Sequence, residues 1–181
     1  NASWLVNAFT RHGFAARELA NGNKPMVYAE YSAPAASGGT PRKTVLFYMH
    51  FDGQSVTPSQ WAQRSPWEAT LKSRAADGKW QTLPIDKLYA GPVDPEWRLF
   101  ARSSSDDKAP IVMFLAAFDA LRAAGVEPAV NIKVILDSEE EKGSPSLGKV
   151  IGDNLALLRT NDGEFKRQLD RYKYPDRYPQ E

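Results

Sequence analysis

Two apolar runs constrain what this chain can fold into more than any other feature. Thr44–Met49 (TVLFYM) is nearly all apolar, and Asn131–Leu136 (NIKVIL) is almost as continuous. A strand with one wet face alternates polar and apolar residues. A continuous run instead suits a strand buried on both faces, in a parallel or mixed sheet with helices on each side. Between the runs, Pro110–Ala124 (PIVMFLAAFDALRAA) reads as the clearest helix, with Pro110 in its first turn and Gly125 after its last periodic residue. The strand–helix–strand order between about 95 and 137 points to an α/β layer architecture. The expected fold is therefore α/β: a three-layer mixed sheet with helices on both faces.

The remaining segments are placed around that sheet. Trp4, Leu5 and Phe9 have helical spacing, so residues 2–12 read as a short amphipathic helix stopped by Gly13. Residues 25–31 (PMVYAEY) read as a strand, and residues 33–40 (APAASGGT) as a flexible loop. Residues 53–100, with four tryptophans and scattered prolines, read as strands and loops wrapping the sheet edge. Residues 145–158 read as helical despite Gly148 and Gly152. The tail from Asp162 is charged and Tyr-rich.

Composition narrows the function. The 181 residues fit one domain. A net charge of +1 gives no argument for nucleic acid or an anionic membrane. No apolar run approaches the roughly 20 residues of a spanning helix. With no cysteine there is no disulfide and no thiolate ligand, so any zinc must use His, Asp or Glu. The chain opens on Asn1, which leaves the compartment open: cytoplasmic or, if a signal peptide was removed, periplasmic or secreted.

Three carboxylate-rich stretches stand beside the apolar segments, and such strand ends are where sites gather in α/β sheets. In His50-Phe51-Asp52, residues two apart point to the same side of a strand. His50 can bind a metal while Asp52 takes its other ring nitrogen and fixes the tautomer; the bland alternative is a buried histidine satisfied by an acid. In Ser105-Asp106-Asp107-Lys108, a carboxylate can bridge two cations, or simply cap the following helix. In Glu139-Glu140-Glu141, three adjacent acids repel one another unless a cation compensates. They can divide labour as ligand and general base, or lie in a solvated turn. His12 falls at the expected end of the first helix, where a cation is mildly favourable. Arg64, Arg102 and Lys108 are candidates for a substrate carboxylate or for surface ion pairs.

In this order the stretches resemble the di-zinc aminoacylase, carboxypeptidase and dipeptidase family, peptidase family M twenty, and most of all its dipeptidase-like branch. The likeness runs from about residue 26 to about 158, through LFYMHFDGQ, QWAQRSPWEATL, EWRLFARSSSDDKAPIV and ILDSEEEKGSPSL. It implies a zinc-peptidase-like fold and a metal-dependent hydrolase of amide bonds: a dipeptidase, carboxypeptidase or N-acyl amino acid deacylase. By position, His50 would bind one zinc, Asp52 would orient it, and Asp106 would bridge two zincs before a cis peptide to Asp107. The EE-x-G-S pattern makes Glu140 the general base and Glu141 a ligand of the second zinc, with Glu139 as an extra acid. A zinc-bridging water would lose its proton to Glu140 and attack the carbonyl. The substrate would be a small peptide or N-acyl amino acid.

The departures from that pattern are specific. The family's Gly-Arg-Gly is Ala101-Arg102-Ser103 here, and its Gly after the acid pair is Ala109. The family's late histidine has no counterpart after His50, and Asp162 stands near the spacing of its further acid without an apolar strand before it. The family's lid domain, through which a homodimer can form, is absent from this sequence. Residues 1–158 are accordingly read as the N-terminal part of a metallopeptidase catalytic domain and 159–181 as a tail. The intact protein is expected to be the enzyme and the 181-residue chain to be inactive. The rival readings are a non-catalytic remnant of the same fold, acting as a binding or structural module, and an α/β domain with coincidental acids.

Overall fold

The computed structural model describes residues 1–35 and 42–154. Asp162, the proposed tail, the boundary at 158, residues 155–158 of the last expected helix and most of the 33–40 loop lie outside the described residues.

Among the described residues the main sheet has four strands. β1 (Ala15–Leu19) and β2 (Met26–Tyr31) pair antiparallel, and β2 continues antiparallel onto β7 (Asn131–Asp137). β3 (Thr44–His50) lies parallel to β7, giving the order β1-β2-β7-β3. The parallel register sets Thr44 against Asn131 and His50 against Asp137. The two strands therefore end at the same level, and the segments that follow them leave one edge of the sheet together.

Helices cover both faces, as the apolar runs require. On one face Val27, Ala29, Ile132, Val134 and Leu136 pack against Leu5 and Phe9 of α1 (Ala2–Arg11) and Ile111, Leu115 and Phe118 of α2 (Lys108–Ala123). On the other, Met26, Tyr28 and Ile135 meet Leu147 and Val150 of α3 (Leu147–Asp153). Odd and even residues of one strand thus feed two cores, the consequence of a two-residue side-chain period. The expected three-layer mixed α/β fold is the one that forms. His12 fastens the two helices of the first face: its Nδ1 lies 2.7 Å from Ala8 O and its Nε2 3.2 Å from Asp119 Oδ1.

Three details differ from the reading of the sequence. β3 is a terminal strand among the described residues, so Val45 and Phe47 remain about 40% exposed instead of buried on both faces. Residues 53–100 build a second antiparallel sheet of their own, from β4 (Thr70–Arg74), β5 (Trp80–Leu83) and β6 (Arg98–Phe100) in the order β5-β4-β6. The strand–helix–strand run after residue 95 is consequently not a crossover within one sheet, because β6 belongs to this second sheet and β7 to the first. Finally, α2 starts at Lys108, so Pro110 is its third residue, where a missing N–H still costs no helical hydrogen bond.

Candidate metal centre

β3 delivers His50 at its last position, 8% exposed, and Asp52 follows two residues later. β7 ends level with it at Asp137 and turns into a short 3₁₀ segment, Glu140–Lys142. Gly143 closes that turn at φ 81°, a conformation few other residues adopt. From a third direction comes the Asp106–Asp107 pair, joined by a cis peptide, at the start of α2.

These elements meet at the imidazole. His50 Nε2 lies 3.0 Å from Asp106 Oδ1 and 3.8 Å from Glu140 Oε2. Its Nδ1 lies 3.3 Å from Asp52 Oδ1 on the opposite side of the ring. One nitrogen therefore faces the cluster of acids and the other faces the Asp52 carboxylate. Asp52 also accepts the backbone N–H groups of Glu140 and Glu141, both at 3.2 Å. A single carboxylate thus ties the histidine to the acidic turn. Tyr48, Met49, His50, Asp106, Asp107, Pro110 and Glu140 line a cavity of about 580 Å³.

Ligand atoms of His50, Asp106 and Asp107 all lie within 4.8 Å of one another. Asp107 is the residue that sequence reasoning undervalued; its only signal was its place as the second acid of the pair. It occupies the N-cap position of α2 without capping it, and instead accepts the His50 backbone N–H at 3.1 Å through Oδ2. Glu141 does not line the cavity, although its turn is joined to Asp52; its Oε2 accepts from Gln54 Nε2 at 3.0 Å.

Glu139 serves a different end. Its carboxylate accepts from Ser146 Oγ at 2.7 Å, Asn21 Nδ2 at 3.1 Å and Lys24 Nζ at 3.0 Å. These donors hold its pKa down to about 2, and the same carboxylate raises that of Lys24. It binds the turn to the β1–β2 connection and to the start of α3. Tyr48 OH donates to Asp137 Oδ2 at 2.9 Å; burial, with the charge of Asp137, keeps the phenol protonated far above its ordinary range. Two of the cationic candidates have neighbours outside the cavity. Arg64 pairs with Glu68 at 2.8 Å, and the Arg102 guanidinium lies over Trp61 at 5.4 Å.

The loop before Asp106 explains one departure from the family pattern. Ser103 adopts φ 62°, the left-handed backbone that favours glycine. A Cβ built on Gly53 would fall 1.9 Å from Ser103 Oγ and 3.2 Å from its Cβ. The chain carries a side chain at 103 and lacks one at the facing position 53.

The donor set fits a divalent cation. It combines one imidazole nitrogen, whose ring has a carboxylate near its other nitrogen, with carboxylate oxygens and no sulfur, a set that zinc accepts.

Known proteins resemble this chain in sequence and in fold. A Cys-Gly metallodipeptidase of Schizosaccharomyces pombe is 30% identical over 155 residues, covering 83% of this chain and 28% of that protein. A succinyl-diaminopimelate desuccinylase of Paracidovorax citrulli is 30% identical over 122 residues, covering 67% and 25%. Among solved structures, an M20 family metallo-carboxypeptidase from Sulfolobus solfataricus superposes with a TM-score of 0.60 at 26% identity, covering 87% of this chain and 29% of its own. The chain spans less than a third of the length of each of these relatives. The model of the family described as Peptidase family M20/M25/M40 matches residues 46–172, well over half of the sequence, and the chain belongs to that family.

Proposed function

We propose that the polypeptide carrying this chain is a metal-dependent hydrolase of amide bonds, acting on a small peptide or an N-acyl amino acid through two zinc ions. The observation that carries the reading is the meeting of His50 Nε2 with the carboxylates of Asp106 and Glu140 at the end of β3, with Asp52 behind the ring.

In this reading His50, Asp106 and Glu141 would hold the metals. The zinc ions, when bound, supply Lewis-acid polarisation of the scissile carbonyl and charge stabilisation of the oxyanion. Asp52 keeps His50 in the tautomer that leaves Nε2 free to coordinate. Glu140, on the cavity wall, takes a proton from the attacking water and later gives it to the leaving nitrogen. Glu139 takes no part, because its oxygens are committed to Ser146, Asn21 and Lys24.

A catalytic zinc generally has three protein ligands and an open position. The assigned residues give each zinc fewer, so residues 1–154 are proposed to need further ligands from other segments. The 181-residue chain by itself is expected to bind less than a full pair of metals and to turn over no peptide.

The test uses the complete zinc-loaded polypeptide on a panel of dipeptides, Cys-Gly among them, and N-succinyl amino acids. Glu140→Gln is expected to lower turnover at least about a hundredfold, the scale of general-base loss, with metal content unchanged. A larger loss from Glu139→Gln, or full activity in Glu140→Gln, would overturn the assignment.

A further inference from the structure

Tyr48 stands two residues before His50 on β3, so both side chains leave the strand on one face and both line the cavity. The proposed reaction makes no use of this phenol, yet it sits at a junction. Its OH donates to Asp137 Oδ2 at 2.9 Å and lies 3.1 Å from Ser144 Oγ. Asp137 is fully buried and opens the acidic turn, its Oδ1 accepting the Glu139 N–H at 2.9 Å. Ser144 closes the turn: its N–H donates to Glu139 O at 3.0 Å, and its backbone sits at φ 52°. One hydroxyl therefore reaches both ends of the segment that carries Glu140 and Glu141.

We infer that Tyr48 is a positioning residue of the metal centre, fixing Glu140 and Glu141 through a clasp between Asp137 and Ser144. The inference rests on the metal centre proposed above. Asp52 fixes the middle of the turn from the His50 side, through the Glu140 and Glu141 N–H groups. Tyr48 fixes its two ends. His50 and Asp106 are set without the phenol hydroxyl: His50 by β3 and by its N–H to Asp107, Asp106 by the approach to α2. Loss of the phenol hydroxyl should thus reach the base and the Glu141 metal and leave the other metal in place. A hydroxyl that merely stabilised the core would lower the melting temperature without that asymmetry.

The experiment compares Tyr48→Phe, Ser144→Ala, Glu140→Gln and Glu141→Gln in the complete zinc-loaded polypeptide. It measures kcat, KM, melting temperature and zinc affinity by titration with a chelator. Tyr48→Phe is expected to lower kcat about tenfold or more with KM little changed, and to weaken one zinc about tenfold, the scale for groups behind a ligand. That zinc is the one Glu141→Gln weakens. Unchanged kcat and zinc affinity with a lower melting temperature would overturn the inference, as would equal weakening of both zincs. Should Tyr48→Phe not fold, Ser144→Ala, which keeps the phenol–Asp137 bond, decides by the same signature: one weakened zinc supports the clasp, none overturns it. If Glu140→Gln stays active and Glu141→Gln leaves zinc untouched, the metal centre itself has failed. If those controls behave and the two hydroxyl variants do nothing, only the clasp has failed.

Discussion

β7 and β6 are both strands with apolar residues, and they end in opposite surroundings. In β7, Ile132, Val134, Ile135, Leu136 and Asp137 are all buried, served by one helical layer on each face. In β6, Arg98 and Leu99 are exposed, and Phe100 is held by its neighbours in the sheet, with Lys72 Nζ 4.8 Å above its ring and Trp80 edge-on at 5.0 Å. The first sheet fixes positions by packing from two sides; the second holds itself by cross-strand pairs, each contributing a fraction of a kcal/mol to about one. His50 and the acidic turn both leave from the buried ends of β3 and β7. The candidate donors His50 and Glu140 are placed by this sheet, and Asp106 joins them from the start of a helix packed on it.

The largest expected contrast comes from one substitution made in both sheets. Leu136→Ala, at a fully buried position, should cost about 2–5 kcal/mol, the range for leucine truncation in a core. Leu99→Ala, 45% exposed, should change stability by less than about 0.5 kcal/mol. Urea unfolding of both variants measures it, and similar losses would erase the distinction between the sheets.

A smaller effect lies where the second sheet's connection meets the site. Gly53→Ala puts a Cβ against Ser103 and should destabilise by about 1–3 kcal/mol, the scale of local overpacking. Ser103→Gly removes the obstructing side chain and relieves a left-handed serine, so the double variant should recover most of the loss. Additive losses in this double-mutant cycle would show that the two positions do not compete for space.

Much of this was legible in the sequence. The unbroken apolar runs announced a sheet covered on both faces because burial on both faces removes the need for alternation. His50 and Asp52 were legible because residues two apart on a strand share a side. The second sheet was not, since its strands are short and, apart from Leu71 and Lys72, exposed or half-buried. The exposure of Val45 and Phe47 was invisible too, because strand order is a property of pairing and a run of residues does not encode its neighbours. Nor could spacing say which of three consecutive glutamates was committed elsewhere. Glu139 is singled out by Asn21 and Lys24, more than a hundred residues earlier in the chain.

The finest expected effect concerns that glutamate. Its pKa is about 2 in the folded chain against an ordinary 4.5, so between these values the unfolded chain binds more protons and stability rises with pH. The contribution is complete above about pH 4.5 and is lost as pH falls towards 2. Glu139→Gln should therefore flatten the pH dependence of stability in that window, seen by comparing urea midpoints at about pH 5 and about pH 3. An unchanged slope would mean that its donors to the turn contribute nothing to folding.

The central claim is that the packed sheet's strand ends hold a metal at His50 and Asp106. Anomalous diffraction at the zinc edge, on crystals of the complete polypeptide grown with zinc, tests it most directly. The account predicts a peak about 2.0–2.2 Å from His50 Nε2 and from an Asp106 oxygen, lost in His50→Ala crystals. A zinc-saturated crystal with no peak at His50, or with an unchanged peak in His50→Ala, would contradict it.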